Sequence, residues 1–256
     1  MERARMKSIS KYRGDLLKAY FTRTRSKGDY FHFQEIGAMN ILAYLQSKGI
    51  EIEGKRILDC GASFGGYSEI FSRYGGKVLP FDIDRDSLIF LRREGGDATK
   101  GMSCALGDAS AMPFKNSSFD LILAIGIIEH LPKQEEFLRE AYRCMGNGFL
   151  LLTFPPYYSP FGGHSLMPFH ILPEKIAIRI GKKLGRIDRS IESLEDLSLF
   201  PITISRARNI IEKVGFEIAS FDSRYTSSFF CQFRMLREFL VPHCIFLLRR
   251  PREGNS

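Results

Sequence analysis

Two groups of residues in this chain could do chemistry. The first lies in ILDCGASFGGYSEIF, where an apolar run carrying Asp59 breaks into Gly61, Ala62, Ser63, Gly65 and Gly66 and then resumes with helical spacing. Glycine adopts backbone angles that other residues resist and has no side chain, so such a turn brings main chain close to a ligand. The free N–H groups at the following helix start are donors. Asp82, 23 residues after Asp59, ends the next apolar run. A carboxylate there can accept from two ribose hydroxyls, and the pair describes a nucleoside pocket at the carboxyl ends of strands. The second group is His130, His164 and His170. Imidazole titrates near neutral pH, so each is a candidate general base toward a hydroxyl, and each could equally be a hydrogen-bonded structural ring. His130 stands in IIEHL; His164, behind Gly162 and Gly163, is the preferred base or acceptor ligand.

These residues need a scaffold, and the patterning supplies one. Short apolar runs at 55–60, 76–82, 102–106, 119–126 and 148–154 alternate with amphipathic stretches at 67–74, 85–94 and 133–145. Buried strands separated by helices specify a parallel sheet covered on both faces, and right-handed crossovers make it doubly wound. A last helix over 202–214, stopped by Gly215, precedes strands at 216–222 and 243–250 that can close the sheet as an antiparallel pair. The expected fold is α/β and Rossmann-like: a seven-stranded sheet, mostly parallel, with an antiparallel C-terminal strand. Regularity fails over about 155–200, where PPYYSPFGGHSLMPFHILP holds five prolines and the basic helix EKIAIRIGKKLGR follows. A loop of that length is expected to be an insertion covering the acceptor side of the site.

Ahead of this domain, set at 51–256, residues 1–50 are expected to form a basic helical arm. Its first 28 residues carry nine Lys or Arg against Glu2 and Asp15, and helical spacing sets in from Phe31 to Ser47. The whole chain has 256 residues, 44% hydrophobic and 26% charged, which excludes disorder, collagen and coiled coil. A net charge of +8 permits an anionic partner without requiring one. Five scattered cysteines, none in a CxxC pair or at zinc-site spacing from a His, read as free thiols, with no metal site expected. They suit a reducing cytoplasm. The apolar run FLVPHCIFLL is about half of what a membrane span needs, which leaves peripheral membrane contact open.

In this arrangement the chain resembles the class I S-adenosylmethionine-dependent methyltransferases, in the small-molecule type 11 style, whose first motif is a strand ending in Asp and then a GxGxG turn. Here that motif reads Asp59-Cys60-Gly61-Ala62-Ser63-Phe64-Gly65, with Ser63 replacing the middle glycine, a departure that would narrow or reposition the pocket. The resemblance continues through FDID (81–84), GDASAMPFKNSSFDLIL (107–123), IIEHL (127–131) and FLREAYRCMGNGFLLLTFP (137–155), covering about 35–155 in order. It implies S-adenosyl-L-methionine as cofactor. Gly61 and Gly65, with Ser63 between them, would line its methionine part, with Asp59 just beneath. Asp82 would hold the ribose and Ile83 pack on the adenine face. Asp108 would accept from the adenine amino group, the Ala109 N–H would meet a ring nitrogen, and backbone at Ile125 and Gly126 would lie near the sulfonium. The rival use of the fold, a nicotinamide dehydrogenase, needs a GxGxxG register that DCGASFGG does not offer.

Methyl transfer from a sulfonium is an in-line displacement that gains from alignment and desolvation. The expected acceptor is a hydroxyl, or another nucleophile, of a small-molecule, sugar or lipid-linked compound. Tyr157, Tyr158, Phe161 and Phe169 either line its site or pack the insertion onto the sheet. Two alternatives stay open: an RNA methyltransferase, nucleic acid being the less favoured partner for want of a recognisable RNA-binding appendage, and a non-catalytic S-adenosylmethionine-binding scaffold.

Overall fold

The computed structural model describes Asp15, Leu16, Ala19, residues 26–234 and residues 236–251. Most of the basic stretch over residues 1–28 lies outside them. The strands are β1 (Arg56–Cys60), β2 (Lys77–Asp82), β3 (Ala105–Leu106), β4 (Phe119–Ile125), β5 (Met145–Phe154), β6 (Glu217–Ser223) and β7 (Cys244–Arg249). They form a seven-stranded sheet of order β3-β2-β1-β4-β5-β7-β6. β1 pairs parallel with β2 and β2 with β3, whereas β7 runs antiparallel to both β5 and β6. This is the expected Rossmann-like α/β architecture.

The described residues fall into two compact units. The first runs through Ala109 and includes Ser118–Leu123. It contains the helices α1 (Lys27–Ser47), α2 (Gly66–Arg73) and α3 (Arg85–Glu94). Its core holds Ile57, Leu58, Phe71, Phe81 and Leu91, apolar on successive strand positions because both faces of a parallel sheet are covered. The backbone N–H and guanidinium of Arg56 both donate to the Asp120 carboxylate, which pins β1 against β4 and holds Asp120 down at about 2.

The second unit comprises Ser110–Ser117 and the chain from Ala124. It contains α4 (Gln134–Cys144), α5 (Glu174–Lys183), α6 (Ile204–Val214) and α7 (Arg237–Leu240). The proline-rich stretch after β5 has a core of its own: Leu166, Ala177, Ile178, Leu194 and Leu199, flanked by Tyr157, Ile187 and Leu197. α5 turns Ala177, Ile178 and Gly181 into that core and leaves Ile176 and Leu184 exposed.

Several boundaries differ from the sequence reading for local reasons. Strand pairing at 102–106 contracts to Ala105–Leu106 because the preceding residues turn, with the Met102 N–H donating to the Thr99 carbonyl (2.9 Å). Met145 opens β5 rather than closing α4. α6 starts two residues late because the Thr203 hydroxyl accepts from the Arg206 N–H and caps it (3.0 Å).

Candidate active site

In the first unit, the turn between β1 and α2 is built by backbone geometry. Gly61 and Gly65 have φ of 78° and 88°, and Ser63 adopts φ 49°, so the serine keeps the left-handed conformation that a glycine would take there. A Cβ on Gly65 would stand 2.3 Å from Leu91 Cδ1, so the turn must be bare at that point. The Gly61 N–H donates to the Phe81 carbonyl (2.8 Å), which ties the turn to β2.

Asp82 completes the cradle. Its Oδ2 accepts from the Ser63 N–H (2.7 Å) and its Oδ1 from the Asp84 N–H (2.8 Å). The cap of α3 is Asp84, whose carboxylate accepts from the Asp86 N–H and the Ser87 hydroxyl, so Asp82 is left to the glycine turn. Ile83, next along the chain, is 73% exposed, an apolar side chain presented beside the cradle. The Gly107 N–H donates to the Asp82 carbonyl (3.0 Å), which brings exposed Asp108 and buried Ala109 after the end of β3. Asp59 is buried beneath the turn; the Ser68 hydroxyl donates to its Oδ2 (2.6 Å), and burial raises its pKa to about 6.

Gln34 is a participant that sequence reasoning missed. Its Oε1 accepts from the Gly66 N–H (3.2 Å), satisfying a helix-start donor, and its Nε2 donates to the Ala62 carbonyl (3.5 Å). A Cβ on Gly66 would lie 2.5 Å from Gln34 Cβ and 2.7 Å from the Phe31 carbonyl oxygen. The fifth and eighth residues of α1 thus meet a turn that a composition-based boundary at residue 50 separates from the helix. The missed signal is a buried-side glutamine on an otherwise apolar helical face.

The second unit brings two of the three candidate histidines together. His130 closes the short 3-10 turn Ile128–His130 that follows β4, and His164 opens another, His164–Leu166, after β5. Their rings stand edge to face with centroids 4.9 Å apart, and Glu129 Oε1 lies 4.0 Å from His164 Nε2. His130 donates Nδ1–H to the Ser198 carbonyl (2.7 Å), which fixes its tautomer and puts the ring's lone pair on Nε2. Burial lowers the His130 pKa, so this ring is neutral near pH 7. Glu129, with a side chain only 4% exposed, is pushed up to about 8 by burial. Its neighbour in IIEHL drew attention and Glu129 did not, because nothing in the sequence shows that this acid is buried.

His170 stands elsewhere in the same unit. It is buried, stacks edge-on against Tyr157 at 5.4 Å, and fills the space that a Cβ on Gly163 would invade at 2.1 Å. Tyr157 donates its hydroxyl to the His170 carbonyl (2.7 Å) and belongs to the small core of the insertion. Tyr158 is exposed and faces Phe239 at 5.8 Å. Ile125 and Gly126 end β4, with the Gly126 N–H donating to the Thr153 carbonyl (2.8 Å). Nearby in sequence, Arg143 anchors the loop before β4. Its guanidinium donates to the Met112 and Phe114 carbonyls and to the Asn116 and Glu140 side chains at 2.6–2.9 Å.

A cradle of left-handed turn, acidic strand end and exposed apolar neighbour, on a sheet of this order, is the arrangement that the resemblance to class I methyltransferases implies. Residues 58–152 match the family described as a methyltransferase domain. An uncharacterized methyltransferase of Mycobacterium marinum is 26% identical over 211 residues, 80% of each chain. Among solved structures, an S-adenosylmethionine-dependent methyltransferase from Mesorhizobium loti shares the fold at 17% identity, with TM-score 0.57 over 81% of this chain and 96% of that one. Magnesium protoporphyrin IX methyltransferase from Synechocystis, with bound SAH, does so at 14% identity, with TM-score 0.55 over 87% of this chain and 85% of that one. The match over residues 58–152 and these relatives make the chain a methyltransferase, and S-adenosylmethionine is its cofactor. The residues present fit that group: the turn has no room for a Cβ at Gly65, and Ile83 is an apolar face with no cover of its own.

Proposed function

We propose that the protein methylates a hydroxyl oxygen of a small-molecule, sugar or lipid-linked acceptor. When bound, the cofactor supplies an electrophilic methyl carbon on a sulfonium, so the chain's own work is to align an oxygen and dispose of its proton. A hydroxyl is a poor nucleophile until that proton is removed, and a neutral imidazole is suited to the task at physiological pH. The observation that carries this reading is the meeting of His130, His164 and Glu129 after the carboxyl ends of β4 and β5, with the His164 side chain 38% exposed. His164 is the group proposed to face the acceptor, and His130 supports it. In the cradle, Gly61, Ser63 and Gly65 are proposed to line the methionine part, Asp82 to take the ribose, and Ile83, Asp108 and Ala109 to take the adenine.

The surface supports an acceptor with apolar or flat parts. Phe229, Phe233, Phe239, Tyr158, Ile171 and Ile176 are all exposed in the second unit, and such side chains suit a sugar ring or a lipid chain. They also support peripheral membrane contact; no helix among the described residues is long and apolar enough to cross a membrane. The stretch 155–200 is the proposed cover for the acceptor.

The test is transfer of labelled methyl from S-adenosylmethionine to panels of glycans, phenols, lipid-linked hydroxyl compounds and RNA, followed by mass-spectrometric location of the methyl group. Oxygen methylation that falls at least 100-fold in His164→Gln, with cofactor affinity intact, is expected. Methylation of RNA, or of nitrogen or carbon, would overturn the reading, as would normal turnover by His164→Gln.

A further inference from the structure

The cluster after β4 has the composition of a metal centre. One ligand atom each from Glu129, His130 and His164 lie within 4.8 Å of one another. Two imidazole nitrogens with one carboxylate oxygen is a donor set for first-row divalent transition metals, whereas magnesium and calcium prefer oxygen alone.

The spacing agrees. Glu129 Oε1 and His164 Nε2 are 4.0 Å apart, too far for a hydrogen bond. Two ligands that each sit about 2.1 Å from one ion are about 3.4 Å apart in a tetrahedral site, so this pair and the third atom would draw together when an ion binds. The partners of the ligands agree as well. His130 gives its Nδ1–H to the Ser198 carbonyl, the outer contact by which ligating histidines are commonly oriented, and Nε2 is left to coordinate. Ser198 is itself held at φ 49° with its N–H donating to the Glu195 carbonyl (2.8 Å), and the Phe200 N–H donates to the Glu129 carbonyl (2.7 Å). The segment 198–200 therefore positions both ligands of the β4 turn. His164 takes φ 49° behind two glycines that have no room for a Cβ.

A separate observation is a buried acceptor atom left without a donor. Glu129 Oε2 is buried and no group donates to it. Buried carboxylate oxygens are normally satisfied, and a fold that keeps one without a donor at a cluster of ligand atoms has a use for it.

We infer that Glu129, His130 and His164 bind one divalent transition-metal cation, leaving its other positions for oxygens of the acceptor. The binding stands on the geometry; the ion's use in catalysis rests on the hydroxyl reading above. In that use His164 serves as a ligand in place of a free base: the ion lowers the pKa of the acceptor hydroxyl, whose proton leaves to solvent. The oxygen lone pair then forms the new C–O bond while the C–S electron pair departs with sulfur. An acceptor with two neighbouring oxygens would fit best, since both can reach one ion.

The experiment uses the full chain, dialysed against chelator and titrated calorimetrically with MnCl₂, ZnCl₂ and MgCl₂, with Mn²⁺ followed in parallel by electron paramagnetic resonance. The expected result is one Mn²⁺ or Zn²⁺ per chain with micromolar affinity, MgCl₂ weaker, and at least tenfold loss in both Glu129→Gln and His164→Asn. Binding of S-adenosylhomocysteine and the circular dichroism spectrum report that each variant is folded. No stoichiometric binding to wild-type protein that still binds S-adenosylhomocysteine would overturn the site, as would undiminished binding in the double variant. Stoichiometric metal binding without methylation of any hydroxyl panel would uphold the site and sink the acceptor reading, so the two fail separately.

Discussion

Replacing Gly65 by alanine tests whether the turn is held by sterics. Gly65 has φ 88°, and an alanine there carries a left-handed penalty of about 1–2 kcal/mol. The added Cβ would also meet Leu91 Cδ1 at 2.3 Å and Cγ at 2.5 Å. Leu91 is fully buried, so it has no solvent to swing into, and overpacking of a closed core costs about 1–3 kcal/mol. Gly65→Ala should thus destabilise the protein by about 2–5 kcal/mol. Gly49 is the matched control: φ is 73° with open space around the missing Cβ, so Gly49→Ala should show the backbone penalty alone. Truncating the obstacle in a Gly65→Ala/Leu91→Ala double variant should recover roughly 1–3 kcal/mol relative to additivity. The chain has no tryptophan, so urea unfolding is best followed by far-UV circular dichroism and tyrosine fluorescence. Calorimetric titration with S-adenosylhomocysteine should show at least tenfold loss for Gly65→Ala and none for Gly49→Ala. Equal destabilisation by the two alanines, or strict additivity in the cycle, would refute the steric account.

Asp82→Ala removes a carboxylate that is proposed to take the ribose and that already holds the Ser63 N–H. Bonds to a charged group are worth about 1.5–3 kcal/mol, so S-adenosylhomocysteine affinity should fall about tenfold to 100-fold by calorimetry, and an unchanged affinity would remove Asp82 from the site. Asp59 has a pKa of about 6 against an ordinary 3.8 because of burial. The native state therefore holds the proton more tightly than the unfolded chain, and Asp59 makes stability fall as pH rises from about 3.8 to about 6, by about 3 kcal/mol. Asp59→Asn should abolish that slope in urea titrations across pH, matching wild type near pH 3 and exceeding it at pH 7. Arg143→Ala unties the loop at 112–116 and should cost about 2–3 kcal/mol, with hydrogen–deuterium exchange accelerating in that loop before it does in the sheet.

What could be read from the sequence divides by how local its cause is. Strands and helices of the sheet follow from apolar runs a few residues long, and the glycine turn with Asp82 follows from residue types that only one backbone geometry accommodates. The same locality places the α3 cap, Asp84, just before its helix. Gln34, by contrast, acts on Gly66 across 32 residues, and nothing in its own neighbourhood announces the task. His164 reaches Glu129 from a loop whose path is set by Gly162, Gly163 and the ring of His170, three long-range steric facts. The sequence favours His164 over His170 for the two glycines before it, but nothing in the string shows that the His170 ring ends in a core.

Ser63 shows the limit of judging a motif by its letters. A serine where the family has glycine suggests a closed or displaced pocket, because a side chain resists left-handed angles by about 1–2 kcal/mol. The fold holds it there all the same: φ is 49°, and the Ser63 N–H is gripped by Asp82 Oδ2 at 2.7 Å. The carboxylate that the resemblance assigns to the ribose therefore also enforces the turn, and the two roles are compatible because a carboxylate has lone pairs left after one amide contact. In this chain the conformation of the turn depends on Asp82 more than on a glycine at position 63. The departure from the motif thus leaves the conformation at position 63 to a hydrogen bond between β2 and the turn, beside the backbone freedom of Gly61 and Gly65.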